Sequence, residues 1–240
     1  MVRMSSKSGF SLFAICALTV FSGCFSVPDT PLRRQVAASP VCCRDNIHIV
    51  FVDSAVDFAS VAGLDQMADS ICAAGFRNTH YFNPYSNGGA DELSALIYRI
   101  RCQDHSARIV VVGWSMATMT VDSALRTLEE KHVVVDSVVH LDSFVLREAK
   151  RFSGNNYPGN VRRNVFIYRQ LNTPPAGAPN SVVYRVDEPF HMSVPGHCQT
   201  YDALLKELLL YRNGNCPCSC HQGAGTAAAG LDVNAENIVR

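Results

Sequence analysis

The sequence predicts an α/β protein with three layers, in which helices cover both faces of a mostly parallel sheet. Short apolar runs rich in β-branched residues alternate along the chain with longer segments whose apolar residues recur at helical spacing. The run at 46–54 is mostly apolar and rich in β-branched residues in its middle, which is typical of a strand buried on both faces of a parallel sheet. Strands that alternate with helices are joined by right-handed crossovers, which place the helices on the two faces.

The composition excludes several classes of protein. Hydrophobic residues make up 48% of the 240 residues, which is too many for a disordered chain. Lysine plus arginine number 21 and aspartate plus glutamate also number 21, so the net charge is zero. Because a nucleic-acid-binding protein usually carries a strongly basic face, we expect no nucleic-acid partner.

The first 23 residues have the layout of a secretory signal peptide. Arg3 and Lys7 precede an apolar stretch at 10–21, which is shorter than the roughly 20 residues that a membrane span needs. The small residues before Cys24 resemble a bacterial lipobox, in which that cysteine carries lipid and becomes the mature N-terminus. An ordinary cleaved signal with a chance cysteine is the alternative. We therefore expect an exported chain, held by lipid to a bacterial envelope membrane in the periplasm or on the outer surface.

The rest of the chain is predicted to have three parts. Residues 24–45 contain Pro28, Pro31 and Pro40 and are typical of a tether. Residues 46–212 form the predicted folded domain. Residues 213–240 are rich in small residues and are predicted to be a flexible tail that contains cysteines.

The tail cysteines Cys216, Cys218 and Cys220 are expected to form disulfides. An exported chain favours disulfides, and the available partners include Cys42, Cys43 and Cys198. The sequence leaves the pairing open. A zinc site that includes His221 is the less favoured alternative, because alternate cysteines are closer than the usual ligand spacing. We expect no metal.

The predicted domain contains six strands and four principal helices. The strands are residues 46–54, 78–82, 108–113, 137–141, 164–169 and 182–186, and the helices are residues 61–74, 91–102, 116–131 and 200–212. Gly75 lies where the first helix is expected to stop. The last helix has the clearest apolar face, formed by Leu204, Leu205, Leu208 and Leu209.

One motif in this pattern carries chemistry. Residues 113–117, Gly-Trp-Ser-Met-Ala, follow the strongest strand and open a helix, which fits the nucleophile elbow G-x-S-x-G with alanine in the last small position. The turn is tight, so the neighbours of Ser115 must be small. The helix that begins there directs N–H groups at the site, and the N–H of Met116 is a predicted oxyanion donor. A structural turn with an inert serine is the alternative.

A catalytic serine needs a base and an acid, which in this type of site follow it in the order acid, then histidine. Asp142 lies at the carboxyl end of the strand after the nucleophile helix, where catalytic groups gather in open α/β sheets. His191 follows the last strand and is the predicted base, with His197 as the alternative. Asp187 and Glu188 are the alternative acids.

The second oxyanion donor is expected in the loop after the first strand. Ser54 and Ala55 are the best placed backbone donors there, although the glycine pair common in lipases is absent. The other histidines have less promising positions. His48, His80 and His140 lie within or beside strands and are expected to be packed, whereas His105 and His132 fall in predicted surface turns.

With these residues in place, the domain resembles the α/β-hydrolase superfamily in a compact form similar to lipases and esterases. The elbow at 113–117, the acid Asp142 and the base His191 carry this resemblance. It implies hydrolysis of an ester or thioester through an acyl-enzyme on Ser115, with no metal or organic cofactor. The expected substrate is a small-molecule or lipid-derived ester. Only residues 144–160 offer a candidate cap, and that segment is short.

Two readings without catalysis are alternatives to the hydrolase. The chain could be an envelope lipoprotein that keeps the fold for binding, since a fold does not fix a function. It could also be a surface protein whose tail cysteines pair with a partner.

Overall fold

The computed structural model describes residues 30–55, 57, 60–143, 157–170, 178–188 and 190–212, without the side chains of Cys42 and Cys43. Its centre is a sheet of six strands: β1 (Ile47–Val52), β2 (Thr79–Phe82), β3 (Arg108–Trp114), β4 (Ser137–Leu141), β5 (Asn164–Arg169) and β6 (Ser181–Val186). All neighbouring strands are parallel, and their order is β2-β1-β3-β4-β5-β6. The chain therefore reverses its direction of travel across the sheet between β2 and β3. In open α/β sheets, ligands bind beside the carboxyl ends of strands at such a switch point.

The helices cover both faces of this sheet, which confirms the predicted three-layer class. They are α1 (Pro31–Ala37), α2 (Cys42–Asp45), α3 (Leu64–Ala73), α4 (Pro84–Asn87), α5 (Ala90–Gln103), α6 (Ala117–Glu130) and α7 (Cys198–Arg212). Successive strand residues point to opposite faces. Ile47, Ile49 and Phe51 accordingly pack with residues of α1, α3 and α7, whereas Val50 and Val52 pack with residues of α5 and α6.

The folded domain begins earlier than the sequence predicts. Part of the expected tether, residues 24–45, forms α1 and α2, and Val36 of α1 is fully buried in the core. The guanidinium of Arg44 donates to the carbonyl oxygens of Val36 at 2.9 Å and of Ala74 at 3.1 Å. The hydroxyl of Thr30 donates to α7. The segment 30–45 is thus part of the domain, because it buries an apolar side chain and satisfies a buried guanidinium.

Several sequence predictions concern residues outside the described ranges. These are the signal peptide at 1–23, lipidation of Cys24, the cysteines of the tail at 213–240, and most of the candidate cap at 144–160. Cys72, Cys102 and Cys198 are described, and each is a free thiol. No helix in the described ranges is long and apolar enough to cross a membrane.

Candidate active site

Ser115 lies on a sharp turn between β3 and α6. Its φ of +54° is in the left-handed region, which is strained for any residue with a Cβ atom. The turn also brings β3 against its own helix: a Cβ atom on Gly113 would lie 3.2 Å from the side chain of Val121. A glycine at this point of the motif therefore has a steric reason. The result is a serine lifted out of the regular strand at the carboxyl end of the sheet.

Both backbone groups of Ser115, its N–H and its carbonyl, form hydrogen bonds that hold this turn. The N–H of Ser115 donates to the carbonyl of Leu141 at 3.0 Å, as if β3 continued beside β4. The carbonyl of Ser115 accepts from the hydroxyls of Ser143 at 2.9 Å and Thr118 at 3.1 Å. Tyr168 in turn donates to the carbonyl of Ser143 at 2.7 Å. The strained conformation is therefore fixed by three neighbouring elements rather than by the turn alone.

Three side chains form a continuous hydrogen-bonded chain at this edge of the sheet. The Oγ atom of Ser115 lies 2.8 Å from Nε2 of His191. The other ring nitrogen, Nδ1, lies 2.7 Å from Oδ2 of Asp142. The carboxylate can accept from Nδ1–H, which leaves Nε2 as the acceptor for the hydroxyl proton of the serine. The structure thus brings together the three residues that the sequence predicts as nucleophile, base and acid.

Asp142 is held rigidly at the end of β4. Its side chain is fully buried, its φ is +40°, and its N–H donates to the carbonyl of Ile167 on β5 at 2.8 Å. The same atom that contacts His191, Oδ2, also lies 2.9 Å from Nε of Arg169. A buried carboxylate is costly unless it is paired, so the guanidinium stabilises the ionised form that an orienting acid requires.

His191 is positioned by a short 3-10 turn, His191–Ser193, which follows β6. Its ring stacks on the indole of Trp114, with ring centres 5.2 Å apart and planes 25° from parallel. The imidazole is thus fixed by an apolar surface on one face and by hydrogen bonds at both nitrogens. Only 21% of the side chain is exposed, which still leaves an open approach to the ring.

The alternative base and acids lie in other hydrogen-bonded arrangements. Nδ1 of His197 accepts from the N–H of Gln199 at 3.4 Å, at the start of α7. The carboxylate of Asp187 accepts from Gln199 and from Gln170, and that of Glu188 accepts from the N–H of Phe190 at 2.9 Å. The hydrogen-bonded chain at Ser115 therefore contains His191 and Asp142, as the sequence predicts.

The predicted oxyanion donors differ in how they are placed. Met116 is the N-cap residue of α6, where N–H groups have no partner within the helix. The pairing of Val52 with Gly113 brings the loop after β1 to the same edge of the sheet. In that loop, however, the N–H of Ser54 donates to Oδ1 of Asp53 at 2.7 Å. Because that donor is already engaged, Ala55 is the better candidate for the second donor.

Asp53 is a buried carboxylate that orders this loop. Its Oδ2 accepts from the hydroxyl of Tyr81, which in turn lies 3.2 Å from the hydroxyl of Ser60. Burial raises the pKa of Asp53, and the hydrogen bonds from Tyr81 and Ser54 oppose that rise. The loop beside the nucleophile is thus fixed by a polar network instead of by a glycine pair.

Sequence reasoning missed three side chains that support the site. Arg169, Ser143 and Tyr168 lie near the carboxyl ends of β4 and β5. The polar residues at the ends of predicted strands were a usable signal, because such residues on neighbouring parallel strands meet at one edge of the sheet. The spacing of the serine motif, however, does not tell which strand lies beside β4.

The packed histidines lie where the sequence predicts. The rings of His48 and His80 stack with centres 5.8 Å apart, and His140 stacks on Phe166 at 4.9 Å. Complete burial lowers the pKa of His140 to about 4. These three histidines pack within the sheet rather than at the serine.

Neither a metal-binding cluster nor a known relative adds to the description of this site. Within the described ranges, no group of three or more histidine, cysteine or acidic side chains is arranged to hold a metal ion. No family model matches the sequence, and a search of curated proteins gives no match.

Proposed function

We propose that this protein is a serine hydrolase that cleaves a carboxylic ester or thioester through an acyl-enzyme on Ser115. The observation that carries this proposal is the chain of contacts from Ser115 through His191 to Asp142, at 2.8 and 2.7 Å. A serine hydroxyl is a weak nucleophile until a base takes its proton, and this arrangement supplies the base and its orienting acid. The resemblance to lipases and esterases of the α/β-hydrolase superfamily supports the same reaction.

In the first half of the reaction, Oγ of Ser115 attacks the carbonyl carbon while Nε2 of His191 takes the hydroxyl proton. The developing oxyanion accepts hydrogen bonds from the N–H of Met116 and, in this proposal, of Ala55. Collapse of the tetrahedral intermediate breaks the bond to the leaving alcohol or thiol, which takes the proton from His191. Asp142 keeps Nδ1 protonated and stabilises the imidazolium without itself taking the proton.

In the second half, water replaces the leaving group. His191 removes a proton from the water, whose oxygen attacks the acyl carbon. When the second tetrahedral intermediate collapses, the bond to Oγ of Ser115 breaks, His191 returns the proton to Oγ, and the acid is released. The shallow burial of the imidazole, of which 21% is exposed, is compatible with this entry of water. We propose small-molecule or lipid-derived esters as substrates, and an exported chain anchored through lipid on Cys24.

The first prediction tests the nucleophile directly. A fluorophosphonate probe reacts with an activated serine, so we expect it to label the protein. We expect Ser115→Ala to abolish this labelling. Ser193→Ala is the matched control, because Ser193 lies in the turn that carries His191 but outside the chain of contacts. Labelling is read by mass spectrometry of the intact protein, and circular dichroism verifies that both variants fold.

The binding-protein alternative has one observation in its favour, which is the engaged N–H of Ser54. If the protein only binds a ligand, the correctly folded chain is neither labelled by the probe nor able to hydrolyse short-chain nitrophenyl esters. Labelling that survives Ser115→Ala would also contradict the proposal.

A further inference from the structure

A concave site lies at the opposite end of the sheet from Ser115. The cavity has a volume of about 460 Å³ and is formed where β1, β3, β4 and β5 begin. Its size falls within the roughly 300–1,000 Å³ range of small-molecule sites. Its charged and titratable lining residues are Arg101, His105, Arg108, His132, Asp136 and Arg162. None of Ser115, Asp142 and His191 lines this cavity.

Three guanidinium groups converge on one carboxylate in this cavity. Asp136 has a side chain only 2% exposed, and nitrogens of Arg162, Arg108 and Arg101 lie 2.8, 3.1 and 3.6 Å from its oxygens. Its Oδ2 also accepts from the N–H of Ile109 at 2.9 Å. One cation would be enough to balance one buried carboxylate, so the cavity carries an excess of positive charge.

The three arginines have different roles. Arg101 donates to the carbonyl oxygens of His105, Ala107 and Val134, so it ties the loops of the cavity together. Arg108 and Arg162 each use Nη1 on Asp136, and in the described chain their other N–H groups have no acceptor. These two side chains are 33% and 59% exposed. They therefore present guanidinium donors to the cavity.

One carboxylate beside the cavity is engaged within its own loop. Asp104 precedes the lining segment 105–108, and its Oδ1 accepts from both the N–H and the hydroxyl of Ser106. The lining itself contains three guanidinium groups and one carboxylate, that of Asp136. His105 and His132 also line the cavity, and each imidazole carries an N–H donor.

We propose that this cavity binds the phosphate group of a small soluble molecule, held by Arg108 and Arg162. A guanidinium matches phosphate because its planar fork donates two parallel hydrogen bonds to two oxygens. Asp136 holds one nitrogen of Arg108 and one of Arg162. Their remaining N–H groups are then available to the phosphate oxygens. The site is separate from the proposed catalytic serine, so its occupancy does not require hydrolysis.

Titration with inorganic phosphate tests this site. Isothermal calorimetry at constant ionic strength, with chloride as the balancing anion, separates specific binding from screening. We expect saturable binding of one phosphate, weakened about tenfold or more by Arg162→Gln, which removes one charge-assisted contact. Asp136 keeps Arg108 and Ile109 as partners in that variant. Arg126→Gln is the matched control, because Arg126 pairs with Asp122 on α6 and lies outside the cavity.

The outcomes distinguish a binding site from simple charge compensation. Absence of phosphate binding, or equal binding by Arg162→Gln and Arg126→Gln, would overturn the proposal. Binding to vesicles that contain phosphatidic acid, without binding of free phosphate, would also overturn it by pointing to a lipid surface. Ser115→Ala is expected to bind phosphate like the unmodified chain, so failure of the proposed hydrolase would leave this result unchanged.

Discussion

One carboxylate oxygen, Oδ2 of Asp142, contacts two cationic or potentially cationic groups. Nδ1 of His191 lies 2.7 Å away and Nε of Arg169 lies 2.9 Å away. The carboxylate is fully buried, so each contact offsets part of the cost of removing it from water. In the proposed hydrolase, Arg169 is a positioning residue, because it holds the carboxylate of Asp142 without touching Ser115.

Replacement of Arg169 is expected to destabilise the fold through Asp142. Arg169→Gln leaves a buried charge with one partner fewer, and we expect a loss of about 2 kcal/mol in the free energy of unfolding, discounted because the arginine is partly exposed. In an Asp142→Asn background the same change is expected to cost at least about 1 kcal/mol less. Urea denaturation of the four chains measures this coupling.

Arg185→Gln provides the control for that cycle. Arg185 is an exposed arginine on the neighbouring strand β6 and donates to the carbonyl of Arg169. Equal losses from Arg169→Gln in both backgrounds would show that the arginine stabilises the fold without acting on the carboxylate.

The two histidines after β6 offer a sharper comparison of function. His191→Ala removes the group that contacts Ser115, and we expect kcat/KM for a short-chain ester to fall at least about a thousandfold. His197→Ala removes a ring that caps α7, so its main expected effect is on stability. Steady-state kinetics with both purified variants gives the ratio, and similar rates for the two would contradict the assigned base.

At the scale of single elements, β4 contains a buried base and is followed directly by the acid Asp142. His140 lies in this strand two residues before Asp142, and burial lowers its pKa to about 4. The folded state therefore holds this ring neutral, whereas the unfolded chain protonates it near pH 6.5. Stability from this effect is complete above the unfolded pKa and is lost as the pH falls towards the folded pKa.

This difference between the folded and unfolded pKa of His140 predicts that the protein becomes less stable as the pH falls. Between pH 7 and pH 5, His140 is expected to contribute a loss of about 2 kcal/mol in the free energy of unfolding. His140→Leu keeps an apolar group against Phe166 and is expected to remove that contribution. Denaturant titrations at both pH values measure it, with His132→Gln as the exposed control. Equal pH dependence in the unmodified chain and His140→Leu would be inconsistent with a neutral buried ring.

The elements also show what sequence patterns contain. Each predicted strand has a counterpart, because runs such as 108–113 are short, rich in β-branched residues and bounded by polar segments, which is typical of a strand. The chain order of serine, acid and histidine placed the three site residues, since all follow carboxyl ends of strands. The partner of Asp142 was not predictable in this way, because contact with Arg169 depends on which strand lies beside β4.

Helix α1 was missed for a different reason. Prolines made its segment resemble a tether, yet proline is also common in the first turn of a helix. The oxygen of Thr30 accepts from the N–H of Arg33, and Pro31 begins the helix. A capping residue directly before proline was thus the available signal, and composition concealed it.

For the whole molecule, this N-terminal segment is expected to be a structural requirement. A chain that starts at residue 46 lacks Val36 and Arg44, so it exposes core surface against α3 and α7. We expect its melting temperature to be at least about 5 °C below that of a chain starting at residue 30. Differential scanning calorimetry compares the two. Equal melting temperatures would mean that the segment packs on the domain without stabilising it.

The stacking of Trp114 on His191 gives the molecule a built-in optical probe. The chain contains one tryptophan, so all indole fluorescence originates beside the proposed catalytic base. Indole emission depends on the groups in contact with the ring, and here the contacting group is the imidazole of His191. Emission intensity followed during acylation of Ser115 by an inhibitor therefore records changes around a single ring without any attached dye.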